Sequence, residues 1–134
     1  MFEVLDIGAS GLLAQRARMD VIAGNVANMN TTRDASGALS PFRRRIAVLE
    51  PRPVGQRGSE GVRMARIELD ESPFRRKWDP GHPDAGPDGY VLYPNIDLAT
   101  EQVNMLEASR AYEANITLME TTKAMLNSTL RLLA

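Results

Sequence analysis

The sequence predicts a mainly α chain with a small β or irregular middle. Its N- and C-terminal helices pair as a coiled-coil-like unit, and a β-rich central segment loops out between them. Three observations predict this. Apolar residues recur at heptad spacing at both ends of the 134 residues. All eight prolines fall between positions 41 and 94. The short runs of alternating apolar and polar residues lie in that same middle. The chain therefore divides into an N-terminal helical segment 1–32, a strand-and-loop segment 33–95 and a long C-terminal helix 96–134.

In the last segment Leu98, Met105, Tyr112, Met119, Leu126 and Leu133 lie seven apart on one line. Ser109, Ile116 and Leu130 follow four residues after Met105, Tyr112 and Leu126, which gives an a/d-type seam. No Gly or Pro interrupts residues 96–134. At 1.5 Å per residue an unbroken helix there would run roughly 55 Å, longer than a compact domain of this size can wrap. Each seam side chain contributes about 1.5–3 kcal/mol when fully buried. Val103, Leu106, Leu118 and Leu132 lie off the main line. They make the stripe wider than one neighbour covers, which predicts packing between chains. Asn95 or Asp97 is placed to cap the helix. Its glutamates step along the expected outer face, with Glu107 before Arg110 and Glu120 before Lys123 at i,i+3 spacing.

Residues 1–30 repeat the pattern. Leu5, Leu12, Met19 and Val26 form one line, and Gly8, Gln15, Ile22 and Met29 the second. The helix is expected to start near Asp6 or Ser10 and to fade at Asn28-Met29-Asn30. Gly8, Gly11 and Gly24 each cost about 0.8–1 kcal/mol against Ala in a helix interior. Either they loosen the helix or another backbone approaches closely there.

In the middle, Ile46–Glu50 and Val62–Asp70 read as strands. Val62/Met64 and Ile67/Leu69 fall out of phase, as at a bulge. Pro51-Arg-Pro53 and Gly55–Gly61 read as a turn or loop, and Asp88-Gly89 as a tight turn before Tyr90-Val-Leu-Tyr93.

Composition narrows the chemistry. The formal net charge of −1 gives no general attraction to nucleic acid or anionic membrane. With no Cys there is no disulfide framework, thiolate nucleophile or Cys-ligated metal. Asp79, His82 and Asp84 surround the only histidine, too few ligands for a metal or acid–base site; they read as a rigid turn with the Asp side chains bonded to backbone. Residues 41–77 hold ten basic and five acidic side chains, with clusters at Arg43–Arg45 and Arg75–Lys77. No aromatic set interleaves them as a base-stacking platform requires. Solvated or salt-bridging faces are favoured over phosphate binding. No catalytic residue, cofactor, metal, nucleic acid or small-molecule substrate is expected. Polar residues within the seam, at Arg110-Ala-Tyr-Glu-Ala-Asn115, read as groups that fix helix register. Glu3 and Asp6 stand where a secretory signal needs basic residues, and no apolar run reaches the ~18 residues of a membrane span. Cytoplasmic residence, or exit by a route that reads no such signal, follows. Two rival readings are a soluble helical-hairpin adaptor and a nucleic-acid-binding module using the basic segment.

Residues 11–33, Gly-Leu-Leu-Ala-Gln-Arg-Ala-Arg-Met-Asp-Val-Ile-Ala-Gly-Asn-Val-Ala-Asn-Met-Asn-Thr-Thr-Arg, closely resemble the N-terminal signature of bacterial flagellar rod and hook proteins. Asp79-Pro-Gly-His-Pro-Asp-Ala85, Gly89–Asn95 and Ala108-Ser-Arg-Ala-Tyr-Glu-Ala-Asn115 resemble the proximal-rod branch of that family. The resemblance covers nearly the whole chain. It implies a non-enzymatic structural subunit of the basal-body rod. Such subunits form a helical tube that transmits torque and encloses the export channel, with terminal helices on the inner wall. It implies export through the flagellar type III export apparatus without a cleaved signal peptide, and a place in the periplasm-spanning rod. The implied partners are other rod proteins, copies of itself and the membrane-ring or rod-base adaptor proteins. On this reading Leu12, Met19, Ile22 and Val26 pack against Met105, Tyr112, Ile116, Met119 and Leu126, within and between subunits, with Leu98 and Leu133 ending the seam. Asn25, Asn28, Arg110 and Asn115 carry the polar contacts that set register. Met119→Asp is then expected to block assembly while leaving export intact.

Overall fold

A computed structural model describes residues 2–54 and 59–134. The elements run α1 (Phe2–Ala27), β1 (Arg45–Val54), β2 (Ser59–Leu69), β3 (Arg75–Trp78), β4 (Tyr90–Tyr93) and α2 (Leu98–Leu133). Two helices at the ends thus flank a small antiparallel β region, and roughly half the chain is helical.

α1 begins at Phe2, ahead of the expected start at Asp6 or Ser10. Ser10 does not cap it. Its hydroxyl donates to the Ile7 carbonyl inside the helix (2.7 Å) and accepts the Val62 N–H from β2 (3.1 Å). The helix ends at Ala27, where the Asn28 side chain turns back onto the Gly24 carbonyl (2.9 Å). α2 spans 36 residues, about 54 Å of helix. Asp97 caps it, accepting from the Thr100 hydroxyl (2.8 Å) and backbone N–H (3.3 Å). Asn95 is drawn into other bonds described below.

β1 and β2 form one two-stranded sheet and β3 and β4 another. β1 runs on through Pro51 and Pro53, where a turn was expected. A two-stranded sheet leaves one edge of each strand open. Prolines two apart direct their missing N–H groups to the same edge, so both are tolerated there. Of the expected loop at 55–61, positions 55–58 lie outside the described residues, while Gly61 is inside β2. Along β2, Val62 and Met64 are half-buried and Ile67 and Leu69 exposed, so the change of phase coincides with a change from covered to open. β3 carries no apolar alternation and is exposed throughout, which is why its sequence did not announce a strand. It pairs antiparallel with β4, Arg75 opposite Tyr93 and Trp78 opposite Tyr90. The Asp88-Gly89 turn is present. Gly89 has φ +81°, and a Cβ there would sit 3.1 Å from Trp78 Nε1, so only glycine suits it.

The chain gathers into two compact units. One comprises Met1–Met19, Ala47–Arg66 and Leu106–Ala134, the other Asp20–Ile46 and Ile67–Met105. In the first, α1 and α2 run antiparallel. A Cβ on Gly8 would lie 2.8 Å from Met119 Cγ, one on Gly11 2.9 Å from Asn115 Nδ2, and Arg18 bonds Glu107 at 3.0 Å. Gly8 and Gly11 therefore admit a close neighbour, though that neighbour is a side chain and not a backbone. A Cβ on Gly24 would meet nothing within 4 Å. The buried residues of this unit, among those described, are small: Ser10, Ala14, Ala108 and Thr122, with Gly8, Gly11 and Gly61. The second unit buries Ile22, Asn25, Val91, Pro94, Asn95, Ile96 and Glu101.

Candidate assembly surfaces

The inner face of α2 is built on the expected line and a shifted companion. Met105, Tyr112, Met119 and Leu126 are half-buried, while Leu98 and Leu133 at the ends are exposed. The second row lies three residues after the first, not four. It consists of Ala108, Asn115 and Thr122, and continues upstream to Glu101. Ser109 is half-buried, Ile116 is 37% exposed and Leu130 56%. Size misleads here: the most buried row takes small and polar side chains, with Asn115 against Gly11, while Met119 of the first line lies against Gly8. The same holds on α1, where Leu12, Met19 and Val26 are half-buried beside a stripe of Gly8, Gly11, Ala14, Ile22 and Asn25.

Among the polar residues singled out from sequence, Asn25 is 1% exposed and holds two chain segments. Its amide oxygen accepts the Arg45 N–H (2.9 Å), and its amide nitrogen donates to the Arg45 carbonyl (2.8 Å) and to Glu101 (3.3 Å). Asn28 acts locally, on Gly24 and Thr31. Asn115 donates to the Ala111 carbonyl (3.0 Å) while its side chain lies beneath Gly11. Arg110 is exposed.

Glu101 was assigned to an outer face by its charge. It is fully buried. Arg44 Nε donates to one carboxylate oxygen and Asn25 to the other, and Arg44 also reaches Asp70 at 3.3 Å. Burial works against the Arg44 charge, but the hydrogen bonds and charges of Glu101 and Asp70 outweigh it and raise its pKa. Asn95 completes the cluster. It accepts the Arg44 N–H (2.9 Å) and donates to the Asp70 carbonyl (3.0 Å) and Ser72 hydroxyl (2.9 Å). The available signal was the heptad 101, 108, 115, 122, which places Glu101 in the buried row. Glu107, likewise, pairs with Arg18 of α1.

The basic clusters are engaged within the chain. Arg43 donates to the Asp70 carbonyl (2.8 Å) and lies 4.2 Å over Phe74. Arg75 donates to the Pro94 and Met29 carbonyls (3.0 and 3.1 Å). Arg76 bonds Asp88 (2.9 Å) and lies 4.6 Å over Tyr90. These guanidinium groups are partnered by carbonyls, carboxylates and single rings. The Asp79–Asp84 segment is a turn, with the Asp84 N–H donating to His82 Nδ1 (3.0 Å). Asp84 does not bond backbone through its carboxylate as expected. It accepts from the Thr32 hydroxyl (2.6 Å) and pairs with Arg33; these, Thr32 first, hold its pKa below the usual carboxylate value. Among the described residues no group of three or more potential ligands is placed to hold a metal ion, and no helix is long and apolar enough to cross a membrane.

A second face of α2 is uncovered. Ala114, Leu118, Thr121, Met125, Ser128 and Leu132 alternate at four- and three-residue steps, and all are exposed. Leu118 is 47% exposed, Met125 60% and Leu132 88%. No charge interrupts this row.

Residues 5–33 match the family described as "Flagella basal body rod protein", and residues 88–132 that described as "Flagellar basal body rod FlgEFG protein C-terminal". Three relatives are each named flagellar basal-body rod protein FlgC. The Borreliella burgdorferi protein is 40% identical over 99% of this chain and 97% of its own length. That of Bacillus subtilis is 39% identical over 98% and 97%, and that of Salmonella typhimurium 35% over 98% and 97%. The chain belongs to the FlgC family of flagellar basal-body rod proteins. It is a structural subunit of the rod, as the resemblance in its sequence implied.

Proposed function

We propose that this chain assembles with copies of itself and with other rod proteins into the proximal rod, a helical tube that transmits torque and encloses the export channel. Segments 1–32 and 96–134 form its inner, coiled-coil-like domain and segment 33–95 its outer part. The chain has no enzymatic role. It reaches the rod through the flagellar type III export apparatus and meets membrane-ring or rod-base adaptor proteins there. The observation that carries this reading is the uncharged row Ala114–Leu118–Thr121–Met125–Ser128–Leu132, left open on a helix whose opposite face is already occupied by α1. Covering it removes apolar surface from water without burying a charge, at about 1.5–3 kcal/mol for each large side chain fully enclosed. On this reading Leu12, Met19, Ile22 and Val26 pack with the half-buried α2 line within and between subunits. The contact on this reading is heterologous, and where its rotation does not close into a ring such a contact propagates into a helix.

Met119 lies against Gly8 within the chain, so Met119→Asp also disturbs the fold of the subunit itself. Leu118→Asp with Met125→Asp is the cleaner variant. Isolated basal bodies are expected to lack the altered chain while secretion of it continues and its circular dichroism is unchanged. Working flagella built with the double variant would refute the assignment. A subunit that stays monomeric at rising concentration with rod proteins present would favour the hairpin adaptor.

A further inference from the structure

β3 and β4 make a two-stranded sheet within the second unit, so each strand has one free edge. The Asp79 N–H donates to the Gly89 carbonyl (2.9 Å), which fixes the phase of the ladder. The pairs Lys77–Val91 and Arg75–Tyr93 therefore exchange the hydrogen bonds, and the N–H and C=O groups of Arg76, Trp78, Tyr90 and Leu92 point outward. On β4 the chain fills part of that edge itself. The Gly86 N–H donates to the Tyr90 carbonyl (2.9 Å), and the Tyr90 N–H to Asp88 (3.3 Å). On β3 the backbone groups of Arg76 and Trp78 have no partner among the described residues.

A groove of about 830 Å³ lies here, lined by Asn30, Arg75, Arg76, Lys77, His82 and Tyr93. Neighbouring strand residues face opposite ways, so a groove that takes Arg75, Arg76 and Lys77 together includes the free edge. Its lining holds no carboxylate. Asp88 offsets Arg76, but Arg75 is bonded to carbonyls, which cancel no charge. Lys77 is exposed and has no partner among the described residues. Such charges keep a second β3 away and leave the edge open to a strand of opposite sign. Outside its helices this chain has one run with acids at alternate positions, Glu68-Leu-Asp70. Both acids are engaged within the fold, Asp70 with Arg44. The occupant therefore comes from another protein.

We propose that the free edge of β3 docks an extended acidic segment of another protein as a third strand. The backbone of Arg76 and Trp78 supplies the main-chain hydrogen bonds. Arg75 and Lys77, two residues apart on one face, take two acids at alternate positions. The residue between those acids lies on the opposite face, where Trp78 is 65% exposed and pairs across the sheet with Tyr90, and an apolar side chain suits it. The segment reads acid–apolar–acid. None of this depends on the open row of α2.

A fluorescein-labelled peptide Thr-Glu-Ile-Glu-Val-Thr, titrated with the full chain at low salt, tests the site. It is expected to bind and to slow exchange of the Arg76 and Trp78 amides. Lys77→Glu, or lysine in place of both peptide glutamates, is expected to weaken binding by about tenfold or more. Lys77 holds no bond in the chain, so its replacement should leave circular dichroism unchanged. Two further peptides, N-methylated on alternate residues in opposite phase, separate strand addition from charge alone: one is expected to lose binding and the other to keep it. Equal binding of these two, binding that both charge changes leave unaltered, no binding of the parent peptide, or equal affinity for a single-stranded oligonucleotide of the same charge would each overturn the proposal.

Discussion

At Gly8, Gly11 and Gly24 one residue type does different things, and the difference is what a methyl group would meet. Beside Gly24 there is open space, so Gly24→Ala recovers backbone entropy and should raise stability by about 0.5–1 kcal/mol in denaturant titration. Gly8→Ala gains the same propensity but sets its Cβ 2.8 Å from Met119 Cγ, partway along that side chain, and should show no such gain. Glu101 is the opposite case, a charge enclosed by its partners. Glu101→Ala leaves the Arg44 guanidinium, itself largely buried, without its closest counter-charge, and should cost about 3–5 kcal/mol. Replacing both by apolar residues of similar volume should cost much less, which a double-mutant cycle would read. Sequence reasoning located Asn25 as a polar contact to be explained but read Glu101 as solvated, because charge is a good guide to exposure except where a partner waits. That partner comes from 57 residues away, and local pattern carries no trace of it.

Among the elements, both long helices were legible from period alone, while residue type pointed to the glycine turn at Gly89 and left the cap of α2 between Asn95 and Asp97. What period could not supply was which side of the first line is the inner one. A row three residues on and a row four residues on are equally regular, and choosing the bulkier picked Ile116 and Leu130, which are exposed. The packed row, Ala108, Asn115 and Thr122, takes small and polar side chains, with Asn115 against Gly11 across the contact. β3 was hidden for a related reason. Its Arg-Arg-Lys run is stabilised by pairing with β4 and by Arg76 resting on Tyr90, and neither requires an apolar face. At this scale Asp97→Ala should expose the first turn of α2, so that amides of 99–101 exchange faster while those around Met119 keep their rates. Equal acceleration along the helix would mean that α2 opens as one piece.

For the whole molecule, the carboxylates with depressed pKa values have a common address. Asp34, Asp70, Asp84 and Asp97 all belong to the second unit. The causes are hydrogen bonds, first from Ser36 at Asp34, Ser72 at Asp70, Thr32 at Asp84 and Thr100 at Asp97. In each case the unfolded chain binds a proton at higher pH than the folded one does. The stability they contribute is therefore complete above the ordinary carboxylate value of 3.8 and is lost as pH falls through the lowered native values. Trp78, the only tryptophan, lies in the same unit and reports on it. The denaturant midpoint read by its fluorescence should fall on acidification from about pH 4 to about pH 2, with these four groups adding no slope above about pH 5. Asp84→Asn removes one of the four and should make the acid slope shallower. An acid slope that Asp84→Asn leaves unaltered would show that its bonds to Thr32 and Arg33 do not hold the unit together in solution.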